Sequence, residues 1–297
     1  MRLVLAVNPT AGSGAGARAM PGTLAGLEAS GHTLRVVGLQ GLSSLQAELE
    51  TALAGDPDGL IAIGGDGLVH VAINALAGTS VPLGIIPAGT GNDIARSLGV
   101  PLGSPSAALA VIMKSLTGDP RLIDLGRIRG TDRPDVWFAA ACSAGLDAVV
   151  NARANRWSWP RGRARYVLAL FRELPFFRPP QYRLSADGHR TDPHAVLVCI
   201  ANMRSIGGGM LIAPDARPDD GQLDLLVIDP LPRLRLLMLF PLLFSGGHVR
   251  LRAVHIRRVS SVELEVRDVE LFADGEPVGD GPVQIDVVPR ALRVLAP

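Results

Sequence analysis

Along the first third of the chain, strand-length apolar runs alternate with segments in which apolar residues have helical spacing. Strand-length apolar runs fall at 2–7, 33–39, 59–65 and 81–89. Segments with helical spacing of apolar residues lie between and after them, at 17–29, 42–54, 68–78 and 93–98. Because strands and helices alternate with short connections, the pattern predicts a parallel sheet that is covered by helices on both faces.

The pattern changes near residue 121. After "RLIDLGRI" the apolar runs are short and turn residues are frequent, and 182–202 has the pattern of a hairpin around Asp187-Gly188. We therefore place a domain boundary at about 120–130 and expect the second domain to be mainly antiparallel β.

Composition narrows the classes of function. The 297 residues suffice for one large or two ordinary domains, and 47% of them are hydrophobic. A net charge of +1 gives no overall field that would attract nucleic acid. Cys142 and Cys199 have no metal-ligand spacing and are interpreted as small buried residues in a reducing compartment.

Membrane insertion is not expected either. The segment "MRLVLAVNPT" is too short and too soon interrupted for a signal peptide, and the longest apolar run, 234–244, is about half of a bilayer span. The chain is expected to be soluble or to attach to a membrane only at its surface.

Three glycine-rich turns follow predicted strands of the first domain. They read "NPTAGSGAG" (8–16), "GGDG" (64–67) and "PAGTGND" (87–93). Ligands of parallel α/β sheets collect at the carboxyl ends of the strands, where glycine allows close backbone approach and helix starts offer free N–H groups to phosphate. Each turn alone is more often ordinary chain reversal, and the dinucleotide fingerprint and the P-loop are both missing. Their coincidence at one edge favours a nucleotide cradle.

One carboxylate, Asp66, stands among these glycines. It could hold Mg²⁺ together with substrate phosphates, or it could orient or deprotonate a hydroxyl. The alternative is that Asp66 only caps a helix that begins at Leu68.

Five segments occur in an order that resembles the diacylglycerol kinase catalytic-domain family, which includes bacterial lipid kinases and sphingosine kinases. They are "NPTAG", "GGDG", "PAGTGNDIAR", "GGGMLIAPDARPDDGQLDLLVI" and "DGE". The match runs from Asn8 to Glu276. "GGDG" is shared with NAD kinases and phosphofructokinases, whereas "GTGND.AR" followed by "P.A..DDG.LD" is far more specific to lipid kinases.

The resemblance implies an α/β plus β fold. Residues 1–124 would form a nucleotide-binding α/β domain related to NAD kinase, and 125–284 an antiparallel β-sandwich that receives the lipid. A segment of about 285–297 is expected to pack back on the first domain, and ATP would lie between the domains.

The resemblance also implies site residues. The expected nucleotide contacts are Asn8, Pro9, Thr10, Gly12, Gly64, Gly65, Asp66, Gly67, Leu68, Gly89, Thr90, Gly91, Asn92 and Asp93. Thr90 would touch the phosphates. A structural Mg²⁺ would bind Asp220 and backbone oxygens of Arg217 and Gln222. The catalytic carboxylate would be Asp274 or Glu276, as in bacterial members, or Asp66, as in sphingosine kinases.

The chain departs from the family pattern in two places. Val71 replaces the usual acidic residue after "GGDG", and Leu39 stands where a nucleotide-contacting Thr is expected; His70 is interpreted as structural. Two alternatives therefore stay open beside an ATP- and Mg²⁺-dependent lipid kinase. One is an enzyme like NAD kinase, and the other is a catalytically impaired relative that binds lipid or nucleotide.

A lipid substrate requires access to a membrane. The segment 156–180 mixes arginines with Trp, Tyr and Phe, which suits the surface of an anionic bilayer, although an ordinary surface helix fits equally well. The apolar segment 234–247 is expected to pack against the sandwich. We expect a cytoplasmic protein peripherally bound to the membrane, with no nucleic-acid partner. The identity of the lipid and the formation of a homodimer stay open.

Overall fold

The computed structural model describes residues 1–39, 42–130, 133–157, 159 and 163–297. These residues form two compact units. The first consists of Met1–Ile123 and Arg290–Pro297, and the second consists of Asp124–Pro289.

The first unit alternates strands and helices, as its sequence pattern predicts. Its elements are β1 (Arg2–Val7), α1 (Ala11–Ala29), β2 (Thr33–Val37), α2 (Leu42–Leu53), β3 (Gly59–Gly64), α3 (Asp66–Leu76), β4 (Leu83–Pro87), α4 (Asp93–Ser97) and α5 (Pro105–Leu116). The four strands are parallel in the order β2-β1-β3-β4. Every residue of β3 and β4 is buried, because helices cover both faces of a parallel sheet.

The end of the chain belongs to the first unit. Val294 pairs in parallel with Leu83 of β4, and the amide of Leu295 donates to the Leu83 carbonyl at 2.8 Å. The amide of Gly78, just after α3, donates to the carbonyl of Ala291 at 2.8 Å. These bonds fix the last residues beside β4.

The second unit contains the rest of the elements. They are β5 (Arg121–Gly130, which begins in the first unit), β6 (Val136–Phe138), β7 (Ala141–Gly145), α6 (Leu146–Arg156), α7 (Arg163–Glu173), β8 (Tyr182–Ala186), β9 (His189–Thr191), β10 (Leu197–Ala201), β11 (Leu223–Ile228), α8 (Arg233–Ser245), a 3₁₀ helix (Gly247–Arg250), β12 (Val254–Val259), β13 (Ser261–Val266), β14 (Leu271–Ala273), β15 (Glu276–Gly279) and β16 (Val283–Val294, which ends in the first unit).

Two layers of strands enclose the core of the second unit. One is a six-stranded antiparallel sheet in the order β12-β11-β10-β7-β14-β15, and the other contains β16, β13, β8 and β9 with β5 and β6 beside β16. Buried residues from both layers form one cluster, among them Cys142, Val198 and Ile285. The predicted antiparallel β domain is confirmed, and the hairpin at Asp187-Gly188 joins β8 to β9.

Three helices of the second unit have no counterpart among the elements that the pattern predicts outright. Leu236 and Leu239 of α8, with Leu174 just after α7, belong to a cluster that also contains Leu197 and Leu226 of the six-stranded sheet. Other apolar residues of these helices, among them Phe171 and Met238, remain at the surface.

The two tryptophans of 156–180 have different surroundings, although docking of this segment on a bilayer requires both to face outward. Trp159 is exposed, but Trp157 packs against the cluster between α6 and α7. Arg153 is paired with Glu173 at 2.6 Å, and Arg165 donates to the Trp157 carbonyl at 2.9 Å. Arg161 lies outside the described residues. Helix α7 of this segment therefore packs against α6.

Two further observations concern membrane-spanning helices and the two cysteines. In the described part of the chain, no helix is both long and apolar enough to cross a membrane. Cys142 and Cys199 are buried and unbridged, and burial raises the pKa of both thiols, so each remains protonated at neutral pH.

Candidate functional site

The three glycine-rich turns of the first unit meet at one edge of the parallel sheet. A side chain at Gly12 would collide with the carbonyl oxygen of Ala88, and one at Gly89 would collide with the Cα of Gly65. The turns after β1, β3 and β4 therefore touch through their backbones. Only glycine permits this approach, which explains why glycines recur at these strand ends.

The first turn is held by Asn8. Its side-chain oxygen accepts hydrogen bonds from the Thr10 amide at 3.2 Å and the Thr10 hydroxyl at 2.9 Å. Gly12, Ser13 and Gly14 then adopt left-handed backbone angles, with φ of 54°, 56° and 87°. The regular part of α1 begins only after them, which agrees with the helical spacing that starts at residue 17.

The carboxylate of Asp66, which follows β3, binds the loop that follows β4. Asp66 is the first residue of α3, directly after the cap residue Gly65 and two residues before the predicted helix start. Its two carboxylate oxygens accept hydrogen bonds from the amides of Asn92, at 2.7 Å, and Asp93, at 2.9 Å. The carboxylate thus caps the start of α4, so the interpretation that it only caps its own helix is wrong.

The loop between β4 and α4 is fixed from two more sides. Asn92 has a left-handed backbone (φ 51°), and its side chain exchanges two hydrogen bonds of 2.9 Å with the backbone of Gly89. Arg96 donates to the Gly91 carbonyl at 2.9 Å and lies 3.8 Å from the buried carboxylate of Asp93. Sequence reasoning missed Arg96, although it stands in the quoted segment "GTGNDIAR".

Thr90 is the exposed tip of this loop. Among the hydrogen bonds of the described residues, none starts from the amide of Thr90 or of Gly91. A Cβ at Gly91 would lie 2.6 Å from a carboxylate oxygen of Asp66. The loop therefore presents a hydroxyl and two amides directly beside a carboxylate.

The predicted contact residue Leu68 and the nearby His70 are less accessible than the turns. The side chain of Leu68 is buried and lies against Gly64, so only backbone atoms of these residues can face a ligand. His70 is also buried, and its side chain and carbonyl oxygen both contact the Asn74 amide group, which fits the structural role expected for it.

The second unit carries the "DGE" segment on a tight hairpin between β14 and β15. Asp274 and Gly275 occupy the turn with φ of 52° and 89°, and Ala273 pairs with Glu276 across it. The Asp274 carboxylate accepts hydrogen bonds from the amides of Ala139 (2.9 Å), Ala140 (2.7 Å) and Ala141 (3.1 Å).

These contacts separate the two acids of the hairpin. Three amide donors hold the carboxylate of Asp274 in the hairpin. Glu276 is half-buried at the start of β15. Asp187 provides a comparison, because its carboxylate likewise accepts bonds from the amides of Ser260 and Ser261 at another hairpin.

The "RPDDGQ" loop is organised by a residue that sequence reasoning missed. Buried Asp124 accepts a hydrogen bond from the Gly221 amide at 2.7 Å, and its own amide donates to the Pro218 carbonyl at 2.6 Å. Asn202 donates to the carbonyls of Asp124 and Ala139 at 2.9 Å each. Asp124 lies in "RLIDLGRI", where a lone acid inside an apolar run was the available signal.

Asp220 itself is exposed at the turn. One of its oxygens accepts a bond from the Gln222 amide at 3.2 Å, and the other lies 3.8 Å from the guanidinium of Arg258. Burial raises the pKa of nearby Asp224, with Arg258 lowering it and the carboxylates of Asp220 and Asp215 raising it further. The described residues contain no cluster of three or more His, Cys, Asp or Glu side chains that could hold a metal ion.

Comparison with known proteins decides the family. A family model described as "Diacylglycerol kinase catalytic domain" matches residues 2–128, and "YegS C-terminal NAD kinase beta sandwich-like domain" matches 140–296. A diacylglycerol kinase of Mycobacterium tuberculosis is 41% identical over 293 residues, covering 98% of this chain and 93% of the relative. The chain belongs to the diacylglycerol kinase family. It is a lipid kinase, as its sequence motifs suggested.

Other members of the lipid kinase family agree. A YegS-like lipid kinase of Pseudomonas aeruginosa is 34% identical, covering 84% of this chain and 80% of the relative. A solved diacylglycerol kinase structure from Bacillus anthracis strain Sterne matches with a TM-score of 0.72 and 21% identity, covering 100% of this chain and 97% of that chain. The structural likeness confirms the predicted fold, an α/β domain followed by an antiparallel β domain.

Proposed function

We propose that this lipid kinase transfers the γ-phosphate of ATP, in the presence of Mg²⁺, to a hydroxyl of a diacylglycerol-like or sphingoid lipid. The observation that carries the proposal is the meeting of three glycine-rich turns beside Asp66. In this proposal the first unit binds the nucleotide and the second unit receives the lipid.

The proposed binding of ATP rests on the backbone geometry of the first unit. Phosphate oxygens fit amides that have no acceptor of their own, and the amides of Thr90 and Gly91 are of this kind within the described structure. The Thr90 hydroxyl would add a donor, while Asn8 and Thr10 shape the opposite turn. Since Asp66, Asn92 and Arg96 fix the loop from three sides, the donors are in place before ATP binds.

Asp66 would have a second task toward the catalytic metal. Its carboxylate already accepts two amide bonds, and carboxylate oxygens are ligands that suit Mg²⁺ or its water ligands. Bound Mg²⁺ would supply positive charge against the phosphate oxygens during transfer.

The "RPDDGQ" loop fits a second, structural Mg²⁺. Asp220 offers an exposed carboxylate, and backbone oxygens of Arg217 and Gln222 would complete the set of hard oxygen donors. Burial raises the pKa of Asp224, and repulsion from the carboxylates of Asp220 and Asp215 raises it further. A cation would relieve this repulsion more fully than Arg258 does at 3.8 Å.

The acceptor half rests on the "DGE" hairpin. Glu276 would take the proton of the lipid hydroxyl as the hydroxyl oxygen forms a bond to the γ-phosphorus and the bond from that phosphorus to the bridging oxygen of ADP breaks. Asp274 would hold the hairpin on the amides of 139–141. Asp66 would assist electrostatically.

The lipid acceptor is supported by the family and by the specific motifs. The Mycobacterium tuberculosis relative is named a diacylglycerol kinase, and "GTGND" and "DDGQLD" favour a lipid over NAD as acceptor. Val71 and Leu39 depart from the pattern, but Asp66, Asp274 and Asp220 are all retained with ordered partners. We propose that the enzyme works at the cytoplasmic face of the membrane, where ATP and the lipid are both accessible.

One experiment tests the proposal and finds the substrate. Purified protein is incubated with γ-³²P-ATP, Mg²⁺ and a total lipid extract, and the lipids are separated. A labelled, phosphatase-sensitive lipid that disappears with the Glu276→Gln variant is the expected result. Label in no lipid, or equal label with the variant, would contradict the proposed chemistry.

A further inference from the structure

The outer sides of α7 and α8 carry a large share of the exposed apolar side chains. Of the twelve large hydrophobic residues exposed in the described structure, seven lie in 164–180 and 232–252. Among these seven residues, the exposed fraction is largest for Phe176 (72%), Leu234 (68%), Met238 (57%) and Phe171 (55%). A concentration of this kind marks an interaction surface, whereas single exposed apolar residues do not.

Packing gives each helix two distinct sides. On α8, Leu236 and Leu239 are buried in the cluster on the six-stranded sheet, while Leu234 and Met238, four residues apart, point away from it. On α7 and the turn after it, Leu174 enters the same cluster, while Phe171 and Phe176 remain exposed. Since both helices lie on one cluster, their outer sides belong to one surface, here called the α7–α8 face.

The charges of the α7–α8 face are almost all positive. Residues 164–180 and 232–252 contain seven arginines, one glutamate and no aspartate or lysine. The glutamate, Glu173, is already paired with Arg153. Six of the arginines are exposed and form no salt bridge with a described residue: Arg172, Arg178, Arg233, Arg235, Arg250 and Arg252.

Arginine and aromatic side chains are also interleaved there. The Arg172 guanidinium lies 5.7 Å from the ring centre of Phe176, and Phe240 and Phe244 stack edge to face at 5.6 Å. Aromatic rings at headgroup depth beside arginines that reach lipid phosphates are typical of interfacial helices.

We propose that the α7–α8 face docks the enzyme on an anionic lipid bilayer, with α8 inserting Leu234 and Met238. The choice of a bilayer rests on the proposed function, because the lipid acceptor resides there. Charge excludes a second copy of this face as its occupant, since self-pairing would bring arginines against arginines. Anionic headgroups complement the arginines, and the acyl chains beneath them complement the exposed apolar side chains. The expectation that 234–247 packs against the sandwich is confirmed for Leu236 and Leu239.

The test is co-sedimentation of the full chain with vesicles of equal parts phosphatidylglycerol and phosphatidylcholine, without ATP. Binding should fall on the order of tenfold or more when Leu234→Gln and Met238→Gln are combined, because two inserted apolar side chains are lost. The matched control combines Leu102→Gln and Ile256→Gln, two exposed apolar residues outside this face, and should bind like wild type.

A charge variant keeps the test independent of the apolar change. Arg233→Gln with Arg235→Gln should weaken binding to anionic vesicles and reduce its salt dependence, because screening acts over a Debye length of about 10 Å. Thermal unfolding of each variant confirms that it is folded.

The contrary outcomes are distinct. Wild type that ignores anionic vesicles, or a Leu234/Met238 variant that binds like wild type, would overturn the proposal. Self-association that this variant abolishes, without vesicle binding, would assign the face to a second copy instead. Turnover of diacylglycerol in detergent micelles is measured separately, so that loss of kinase activity with intact vesicle binding counts only against the proposed function.

Discussion

Asp66 and Asp93 lie 27 residues apart in the chain, yet a carboxylate oxygen of Asp66 accepts a hydrogen bond from the Asp93 amide at 2.9 Å. The bond ties the turn after β3 to the helix after β4. The single carboxylate of "GGDG" therefore holds the Thr90 loop in place and lies beside Gly91 of that loop.

This double role shapes the first prediction. Asp66→Asn should abolish phosphoryl transfer, with a loss of about a hundredfold or more, because a preorganised charge at the transferred group disappears. The fold should survive, although one of the two amide bonds is lost at about 1–2 kcal/mol. Turnover with γ-³²P-ATP and thermal unfolding are measured on the same preparation.

Asp187→Asn is the matched control for Asp66→Asn, because Asp187 also accepts two backbone amides at a turn. It should lose comparable stability and keep turnover. Near-normal turnover of Asp66→Asn would reduce Asp66 to a cap for α4.

The two acids of the "DGE" hairpin should respond in opposite ways. Glu276→Gln should lower kcat by about a hundredfold to ten-thousandfold, the range for loss of a general base, with little change in stability. Asp274→Asn should destabilise the second unit by about 1–3 kcal/mol, because at least one of three amides loses its acceptor. The kcat and the urea unfolding of both variants are measured. Loss of kcat in Asp274→Asn, with loss of stability in Glu276→Gln, would make Asp274 the base.

Magnesium dependence should report on the "RPDDGQ" loop. Asp220→Ala should lower activity and shift the Mg²⁺ titration of turnover to higher concentration, because the loop loses its carboxylate ligand. Mg²⁺ without ATP should raise the melting temperature of wild type more than that of the variant. A variant with the Mg²⁺ dependence of wild type would show that no ion binds there.

The pH dependence of stability should carry the signature of Asp147, the second residue of α6. Its carboxylate oxygens are enclosed and make no well-directed hydrogen bond within the described structure. Burial raises the pKa of Asp147 from 3.8 to about 6, and the nearby Ser143 hydroxyl and Ala148 amide offset this only in part. The folded state therefore holds the proton more tightly than the unfolded state does.

Stability should consequently fall as pH rises from about 3.8 to about 6 and then level off. Asp147→Asn should remove this decline and stabilise the protein at neutral pH by up to about 3 kcal/mol, with no gain at the acid end. Urea unfolding at several pH values checks this, with exposed Asp192→Asn as control. Parallel pH curves for wild type and Asp147→Asn would contradict the assignment.

The features that the sequence predicted are those fixed by local pattern. Apolar runs placed β1 to β4, and parallel pairing then forces the turns after β1, β3 and β4 to one edge. The α3 start was misplaced by two residues because Gly65, not Asp66, is the cap residue of that helix.

The remaining features depend on contacts between distant segments. The partners of Asp66 at 92 and 93, and the contact of Asp124 with Gly221 across 97 residues, carry no local signal. Likewise, composition showed that 156–180 is rich in arginine and aromatic residues. Only packing showed that Trp157 is enclosed while Phe171 and Phe176 remain outside.

Phosphoryl transfer from ATP to a lipid hydroxyl is tested most directly by comparing defined acceptors at saturating ATP and Mg²⁺. The kcat/KM of wild type is measured for diacylglycerol, a sphingoid base and NAD, with Asp66→Asn and Glu276→Gln as blanks. The proposed lipid kinase activity predicts transfer of label to a lipid hydroxyl, none to NAD, and loss of transfer in both variants. Phosphorylation of NAD, or binding of lipid and ATP without any transfer, would contradict it.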